Sequence, residues 1–255
     1  MNNSSQFYDK FASKYDIMLP GGKRDKKLIS FCKKIFVENK VSAILDCACG
    51  TGKHSIAFSN LGFNVVGCDL SVEMVKRARS NAIASGLKIN FVQADFKRLH
   101  NVFDKKFDCV ICLTNSLIHE LEEQGLLSAL TSMYNVLSEK GIVIIEMTNI
   151  AKLIRDNTRI FPVHHHKDPN GDLNLFFYVL DFNPTKVTCN IVSFIERDGY
   201  PKFEVTSVDY NPISEHKISS LMFKVGFRSI KTYGSFEYEE FQNLESKNII
   251  IVGRK

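Results

Sequence analysis

Hydrophobic residues follow two spacings along the chain. Short apolar runs indicate buried strands, and stretches with apolar residues three or four positions apart indicate amphipathic helices. The predicted strands of the first part of the chain are 43–47, 64–68, 89–93, 107–112 and 142–147. The predicted helices there are 5–16, 25–39, 52–60, 71–85 and 122–137. Because strands and helices alternate, we predict an α/β fold whose mainly parallel sheet binds its ligand at the carboxyl ends of the strands.

The pattern changes towards the C-terminus, where extended segments separated by turn-forming residues indicate an antiparallel meander. These segments are 175–180, 186–195 and 203–210, followed by a helix at 214–225 and strands at 229–233 and 248–252. We therefore predict a Rossmann-like seven-stranded sheet flanked by helices, with an inserted antiparallel β cover over its active edge. The predicted units are 1–158 for the helices and core, 159–212 for the cover, and 213–255 for the elements that complete the sheet. The pattern does not determine which face of the meander points inward.

Composition narrows the class of protein. The 255 residues are 44% hydrophobic, which suffices for a full core, and the net charge of +5 is spread among interspersed lysines and acids. That modest balance does not favour a nucleic-acid partner. The polar start and the lack of a long apolar run predict a cytoplasmic protein with no membrane partner. We expect a monomer or a homodimer. The seven cysteines lie mostly in apolar runs, so we expect buried, reduced thiols.

A glycine-rich turn follows the first predicted strand. Segment 46–52 reads DCACGTG, and the second predicted strand is followed by Asp69. Glycines let the backbone approach a ligand closely, and an acid at the end of the second strand suits a ribose diol. The turn therefore indicates a nucleoside cofactor. A dinucleotide fold favours a third glycine, which segment 50–55 lacks, so a nucleotide-dependent oxidoreductase is disfavoured.

The turn resembles motif I of the class I S-adenosylmethionine-dependent methyltransferases. Segments 69–74 (DLSVEM), 94–96 (ADF) and 107–112 (FDCVIC) are similar to further motifs of that family. The string DxACGTG occurs in its small-molecule members, among them glycine N-methyltransferase and amino-sugar N-methyltransferases. The resemblance implies S-adenosylmethionine as the cofactor, S-adenosylhomocysteine as the product and a small-molecule methyl acceptor.

The same resemblance implies the cofactor-binding residues. Asp69 would hold the ribose hydroxyls, Asp95 would bind the amino edge of the adenine, and Arg24 would engage the cofactor's carboxylate. Leu70 and Met74 would flank the adenine. The full implied set is Arg24, Asp46, Ala48, Gly50, Gly52, Asp69, Leu70, Met74, Asp95, Phe96 and Leu113.

The acceptor end is implied by weaker matches. Segment 115–119 (NSLIH) is similar to the NS-x-x-H segment of the N-methyltransferases, and 148–150 (TNI) resembles their asparagine-bearing turn. Tyr8 and Tyr15 match a tyrosine-rich N-terminal helix. The expected catalytic residues are Tyr8 and His119, and the expected substrate-binding residues are Tyr15, Asn115, Asn149 and Arg197.

Each of these residues has a second interpretation. His119 could take a proton from a protonated amine or be a hydrogen-bonded packing histidine, and Tyr8 could face the sulfonium or be a core aromatic. Glycine N-methyltransferase has a carboxylate-binding arginine in a stretch comparable to that of Arg197, but the sequence that follows differs, so glycine specificity does not follow. Consecutive residues of segment 164–166 (HHH) point to opposite faces of a strand, and no metal site is expected.

The favoured function is N-methylation of a small amine by in-line methyl transfer. O- or C-methylation stays open, because the cofactor fold does not dictate the acceptor. DNA amino-methyltransferases carry an N/D-P-P-Y/F motif after the fourth strand, whereas segment 113–116 is LTNS and lacks proline. Nucleic-acid methylation is therefore disfavoured. A non-catalytic, cofactor-binding partner protein is a further alternative.

Overall fold

A computed structural model describes residues 3–18, 21–161, 164–167, 173–197 and 200–255. The helices are α1 Asn3–Met18, α2 Lys23–Glu38, α3 Lys53–Asn60, α4 Val72–Ala84, α5 Glu123–Val136, α6 Ile150–Arg155 and α7 Glu215–Val225. The core strands are β1 Ala43–Asp46, β2 Asn64–Asp69, β3 Asn90–Gln93, β4 Phe107–Cys112, β5 Leu137–Thr148, β10 Arg228–Tyr233 and β11 Asn248–Arg254. The remaining strands are β6 His164–Lys167, β7 Leu173–Phe182, β8 Val187–Arg197 and β9 Tyr200–Tyr210.

The core sheet has seven strands in the order β10-β11-β5-β4-β1-β2-β3. Its strands from β3 to β5 are parallel, and β11 runs antiparallel to both β5 and β10. Helices cover both faces, so the central strands are continuously apolar, and Ile44, Leu45 and Val110 are fully buried. The predicted seven-stranded, mainly parallel sheet is confirmed. The carboxyl ends of β1, β2, β4 and β5 meet at one edge.

A second, antiparallel sheet has the order β6-β7-β8-β9. It confirms the predicted meander and adds the short β6, whose His-rich sequence has no apolar alternation. The inward face of β7 and β8 is now defined, because Phe176, Leu180, Cys189 and Ile191 are buried. Helix α1 lies between the two sheets, with the ring centroid of Phe11 6.5 Å from that of Phe176.

The sequence pattern did not predict three short helical elements. Two 3-10 turns, Phe96–Asn101 and Ser116–His119, follow β3 and β4, and α6 follows β5. Such elements are too brief to show a hydrophobic period. All seven cysteines are buried and none is disulfide-bonded. None of the helices in the described residues combines the length and apolarity that a membrane crossing needs.

Candidate active site

A cavity of about 570 Å³ opens at the carboxyl ends of the core strands. The glycine turn, the ends of β2 and β4 and the start of α2 form one end. Helix α1, the inner face of the antiparallel sheet and the turn Ser116–His119 form the other end. Its volume is that of a small-molecule site, and most of its wall is apolar.

The glycine turn depends on backbone conformations that favour glycine. Gly50 has φ +53° and Gly52 has φ +83°, both in the left-handed region. A Cβ added to Gly52 would lie 3.0 Å from Ala78 Cβ and 3.0 Å from Phe91 Cζ. Gly50 lines the cavity, where the nearest atom to an added Cβ is Tyr15 Cε1 at 3.9 Å. The two glycines therefore differ: Gly52 seats the turn against α4, and Gly50 leaves its cavity side open.

Asp46 lies beneath this turn. Its Oδ2 accepts a hydrogen bond of 2.7 Å from Ser55 Oγ, and burial raises the pKa of its carboxyl to about 7. Asp46 is 2% exposed and does not line the cavity. The carboxylate thus ties the end of β1 to α3 rather than facing a ligand.

Asp69 ends β2 and lines the cavity. Its Oδ2 accepts from the Gly50 backbone N–H at 2.8 Å and its Oδ1 from the Ser71 N–H at 2.9 Å. Burial raises the pKa of Asp69. Each oxygen keeps a second lone pair, so the carboxylate is positioned by the backbone and can still accept hydrogen bonds from a diol.

Arg24 lines the cavity and forms an ion pair with a buried acid. Its Nη2 donates to Glu146 Oε1 at 2.7 Å, and Glu146 Oε2 accepts from the Thr114 N–H at 2.9 Å. The Arg24 side chain is 45% exposed, whereas that of Glu146 is 1% exposed. One edge of the guanidinium is thereby held by the core, while the rest of the group stays accessible from the cavity.

His54 lines the cavity, although the sequence pattern did not predict it as a site residue. It follows Lys53 at the start of α3, and its buried Nε2 has no hydrogen-bond partner in the described part of the chain. Burial lowers the pKa of His54 to about 4, so the ring is neutral at pH 7. A buried polar atom without a partner costs free energy unless a ligand satisfies it. The available sequence signal for a role at the site was its position two residues after Gly52 of the glycine turn.

At the other end, Tyr8 Oη lies 2.7 Å from His119 Nε2. The Tyr210 ring centroid is 5.1 Å from that of His119. Burial lowers the pKa of His119 to about 4 and raises the pKa of Tyr8 well above its ordinary value. Both side chains are therefore neutral at pH 7 and share one hydrogen bond in the cavity wall.

The turn after β4 is strained. Thr114 and Asn115 have φ of 53° and 70°, values that residues with a Cβ seldom adopt. Asn115 Oδ1 accepts a hydrogen bond of 2.6 Å from the Thr148 N–H, which joins the ends of β4 and β5. The turn is followed by His119, whose ring contacts Tyr8 of α1.

Helix α1 is fastened across the glycine turn by two acids. Asp16 Oδ1 accepts from Thr51 Oγ1 at 2.6 Å, and its Oδ2 accepts from Arg77 Nε at 3.1 Å. Asp9 Oδ1 accepts from Ser71 Oγ at 2.5 Å. These bonds place Tyr8 and Tyr15 over the cavity.

Most of the predicted site residues meet at the cavity. Those that line it are Tyr8, Tyr15, Arg24, Ala48, Gly50, Asp69, Leu70, Met74, Asp95, Phe96, Asn115 and His119. Gly52, Leu113 and Asn149, like Asp46, lie behind the wall. Leu113 is 2% exposed in the core, and Asn149 Nδ2 donates to Asn243 O and Ser246 O on the far side.

Arg197 and segment 164–166 lie partly outside the residues that the structure describes. The backbone of Arg197 pairs with that of Tyr200, but the Arg197 side chain lies outside the described residues. The side chains of His164 and His166 do so as well, while His165 is exposed. Within the described ranges, no group of three or more His, Cys, Asp or Glu side chains is placed to hold a metal ion.

Comparison with known proteins supports one family. Residues 44–141 match the family model described as a methyltransferase domain. The glycine/sarcosine N-methyltransferase of Aphanothece halophytica is 28% identical over 233 residues, covering 91% of this chain and 84% of that protein. The chain is a class I S-adenosylmethionine-dependent methyltransferase. The methyltransferase thus uses S-adenosylmethionine as its cofactor.

Solved structures share the fold of the methyltransferase. An S-adenosylmethionine-dependent methyltransferase from Clostridium acetobutylicum superposes with a TM-score of 0.79 at 22% identity, covering 97% of this chain and 98% of the other. The sugar N-methyltransferase KedS8 from a Streptoalloteichus species gives 0.75 at 18% identity, covering 94% and 92%. Both similarities extend over the core sheet and the antiparallel cover.

The cavity of the methyltransferase fits S-adenosylmethionine. Asp69 offers carboxylate oxygens beside the open backbone of Gly50, which suits a ribose. The unpartnered Nε2 of His54 and the accessible guanidinium of Arg24 offer polar contacts at the other side of the glycine turn, which suit an amino-acid group. Leu70, Met74 and Phe96 provide apolar surface for a base.

Proposed function

We propose that this methyltransferase N-methylates a small-molecule amine. The observation that carries the proposal is the neutral Tyr8–His119 pair, which lies in an apolar wall at the acceptor end of the cavity. A neutral imidazole can accept a proton from an amine at pH 7, whereas an imidazolium cannot. The names of the relatives, a glycine/sarcosine N-methyltransferase and a sugar N-methyltransferase, support an amine acceptor.

In this proposal the donor end binds the cofactor through both acidic and basic side chains. Asp69 accepts the ribose hydroxyls, and Asp95 with the Phe96 backbone binds the amino edge of the adenine. Arg24 binds the carboxylate, and His54 Nε2 completes its hydrogen bonding with the amino-acid group. The bound cofactor supplies a methyl group activated by a sulfonium.

The acceptor end has two tasks. It excludes water from the reacting amine, and it takes up the proton that an ammonium must lose before its nitrogen lone pair can attack the methyl group. In the Tyr8–His119 pair, the tyrosine oxygen accepts the proton that the amine loses, while the tyrosine's own proton passes to His119 Nε2 across the 2.7 Å hydrogen bond. Positioning supplies most of the rate enhancement, because in-line transfer needs the two reacting atoms in near contact.

Several predicted residues act indirectly in this proposal. Asp46, Gly52 and Leu113 hold the glycine turn and the end of β4 in place. Asn115 and Asn149 fix the backbone at the ends of β4 and β5. They are positioning residues, and the proposal gives no role to Arg197.

We also propose a division of the chain into three functional units. Residues 1–158 form the cofactor-binding core, 159–212 form the cover, and 213–255 complete the sheet. The acceptor is a small molecule rather than a nucleic acid, which the interspersed charge pattern supports. The protein is proposed to work in the cytoplasm as a monomer or homodimer.

A donor-dependent transfer assay tests the proposal. The enzyme is mixed with S-adenosylmethionine and a panel of amines, alcohols, phenols and activated carbon acids, and products are read by mass spectrometry. Methylated amines are expected. Transfer only to oxygen or carbon acceptors would contradict N-methylation, and binding of the cofactor with no transfer to any acceptor would favour a non-catalytic protein.

A further inference from the structure

The two ends of the cavity differ sharply in charge. Ionic side chains that line it come from the core: Arg24 is paired with Glu146, and Lys53 Nζ lies 2.5 Å from Asp25 Oδ2. Lys97 Nζ lies 2.8 Å from Glu120 Oε2 beside Asp95. The first two pairs border the donor end, where the cofactor itself carries charge, whereas Glu120 directly follows His119 and the third pair therefore lies between the two ends.

The acceptor end is built from phenols and hydrocarbon. The described residues of α1 and of the cover that line the cavity include no charged side chain. Apolar surface comes mainly from Phe7, Phe161, Leu180, Val187 and Ile191.

Four tyrosines supply phenol groups at this end beside His119, and burial is the main cause that raises the pKa of each above its ordinary value. They are Tyr8, Tyr15, Tyr178 and Tyr210. All four phenols therefore keep their protons at pH 7. The ring centroids of Tyr8 and Tyr15 lie 6.2 Å apart, and that of Tyr210 lies 5.1 Å from the His119 ring.

This wall treats the two charges of an amino acid differently. Aromatic faces and phenolic oxygens stabilise an ammonium group through cation–π contacts and hydrogen bonds. A carboxylate would lose its hydration there, and Lys97 is already paired, because its Nζ lies 2.8 Å from Glu120 Oε2 and 4.0 Å from Asp95 Oδ2. Neutral His119 provides no compensating charge.

We propose that the methyl acceptor is an amine on a predominantly apolar body that carries no carboxylate. The inference rests on the proposed N-methylation and specifies its substrate class. It separates this enzyme from its glycine/sarcosine-specific relatives, whose named substrates are carboxylates. The phenol groups select the ammonium and hydroxyl functions, and the hydrocarbon wall selects the body.

Matched pairs that differ only by the carboxylate test this inference. The pairs are tyramine with tyrosine and phenethylamine with phenylalanine, with glycine and sarcosine added as small amino acids. Methyl transfer is followed by release of S-adenosylhomocysteine, and binding to the enzyme loaded with S-adenosylhomocysteine is measured by calorimetry. We expect the carboxylate-free member of each pair to have at least about 10-fold higher kcat/KM and tighter binding.

Equal or better use of the acid members, or of glycine, would overturn the inference while leaving N-methylation intact. A complete lack of binding by both members of every pair would also count against it. Transfer confined to oxygen acceptors would instead overturn the proposed function on which it rests.

The role of the phenols has its own matched control. Tyr178→Leu removes an aromatic face, and Tyr178→Phe keeps the face without the hydroxyl. We expect amine affinity to fall several-fold in Tyr178→Leu and to be largely retained in Tyr178→Phe, with unchanged affinity for S-adenosylhomocysteine. Equal amine affinity in both variants and the wild type would contradict recognition by the aromatic face.

Discussion

Tyr8 Oη and His119 Nε2 are joined by a hydrogen bond of 2.7 Å across 111 positions of the chain. The bond exists only while α1 lies across the glycine turn, because Tyr8 is on α1 and His119 follows β4. The acceptor end is therefore complete only when α1 is docked against the core.

Removing this pair should reduce turnover more than cofactor affinity. Tyr8→Phe deletes the hydroxyl and keeps the ring, and His119→Asn deletes the proton acceptor. We expect kcat to fall by about 10- to 100-fold in each, since general-base effects are typically of that order or larger. The double variant should be little worse than the single ones because the two act as a unit. Wild-type turnover in the double variant would reduce both residues to packing.

The fastening of α1 can be tested at Asp16. Asp16→Ala removes the bonds to Thr51 and Arg77 while leaving the apolar face of α1 unchanged. We expect faster amide hydrogen exchange in α1 and a several-fold weaker affinity for S-adenosylhomocysteine. Ser13→Ala, an exposed change on the same helix, is the control and should alter neither. Similar exchange in both variants would show that packing alone holds α1.

His54 should matter for one part of the cofactor only. His54→Leu keeps an apolar side chain of similar reach but removes the ring nitrogens. We expect affinity for S-adenosylhomocysteine to fall by about 10-fold, the cost of one lost polar contact, while methylthioadenosine, which lacks the amino-acid group, binds as before. Arg24→Ala should show the same selectivity. Equal losses for both ligands would place His54 away from the amino-acid group.

The depressed pKa of His119 predicts a pH-dependent stability. Its pKa is about 4 in the native protein against 6.5 for the ordinary group. The unfolded chain therefore takes up the proton first as pH falls, and the unfolding free energy decreases between about pH 6.5 and pH 4. This contribution approaches roughly 3 kcal/mol at the acid end.

His119→Asn isolates that contribution. The same protein also contains His54, whose pKa is lowered, and Asp46, whose pKa is raised to about 7 and which acts in the opposite direction. Because both remain in the variant, the difference between the two denaturation series reports His119 alone. The variant should lose less stability than the wild type on acidification. Parallel curves from pH 7 to pH 4 would contradict a buried, neutral His119.

The sequence predicted the scaffold well, for physical reasons. Buried parallel strands must be continuously apolar, and Ser71, which accepts a hydrogen bond from the Met74 N–H, caps α4 as its residue type predicts. The glycine turn and Asp69 were identified because close backbone approach restricts residue type. These signals are local in the chain.

What the sequence could not predict depends on distant contacts. Arg24 meets Glu146 across 122 positions, and no local pattern marks Glu146 as its partner. Asn149 matched a family turn, yet its side chain bonds to the backbone near the C-terminus. The orphan nitrogen of His54 is visible only once burial is known. Tertiary packing decides which polar residues face a ligand.

The position of the transferred methyl group is the decisive measurement for N-methylation at the Tyr8–His119 end of the cavity. The enzyme is incubated with a carboxylate-free amine and S-adenosylmethionine carrying an isotopically labelled methyl, and the product is analysed by NMR. We predict that the label appears on nitrogen, with its rate of appearance reduced at least about 10-fold in His119→Asn. Label on oxygen or carbon, or an equal rate in the variant, would contradict it.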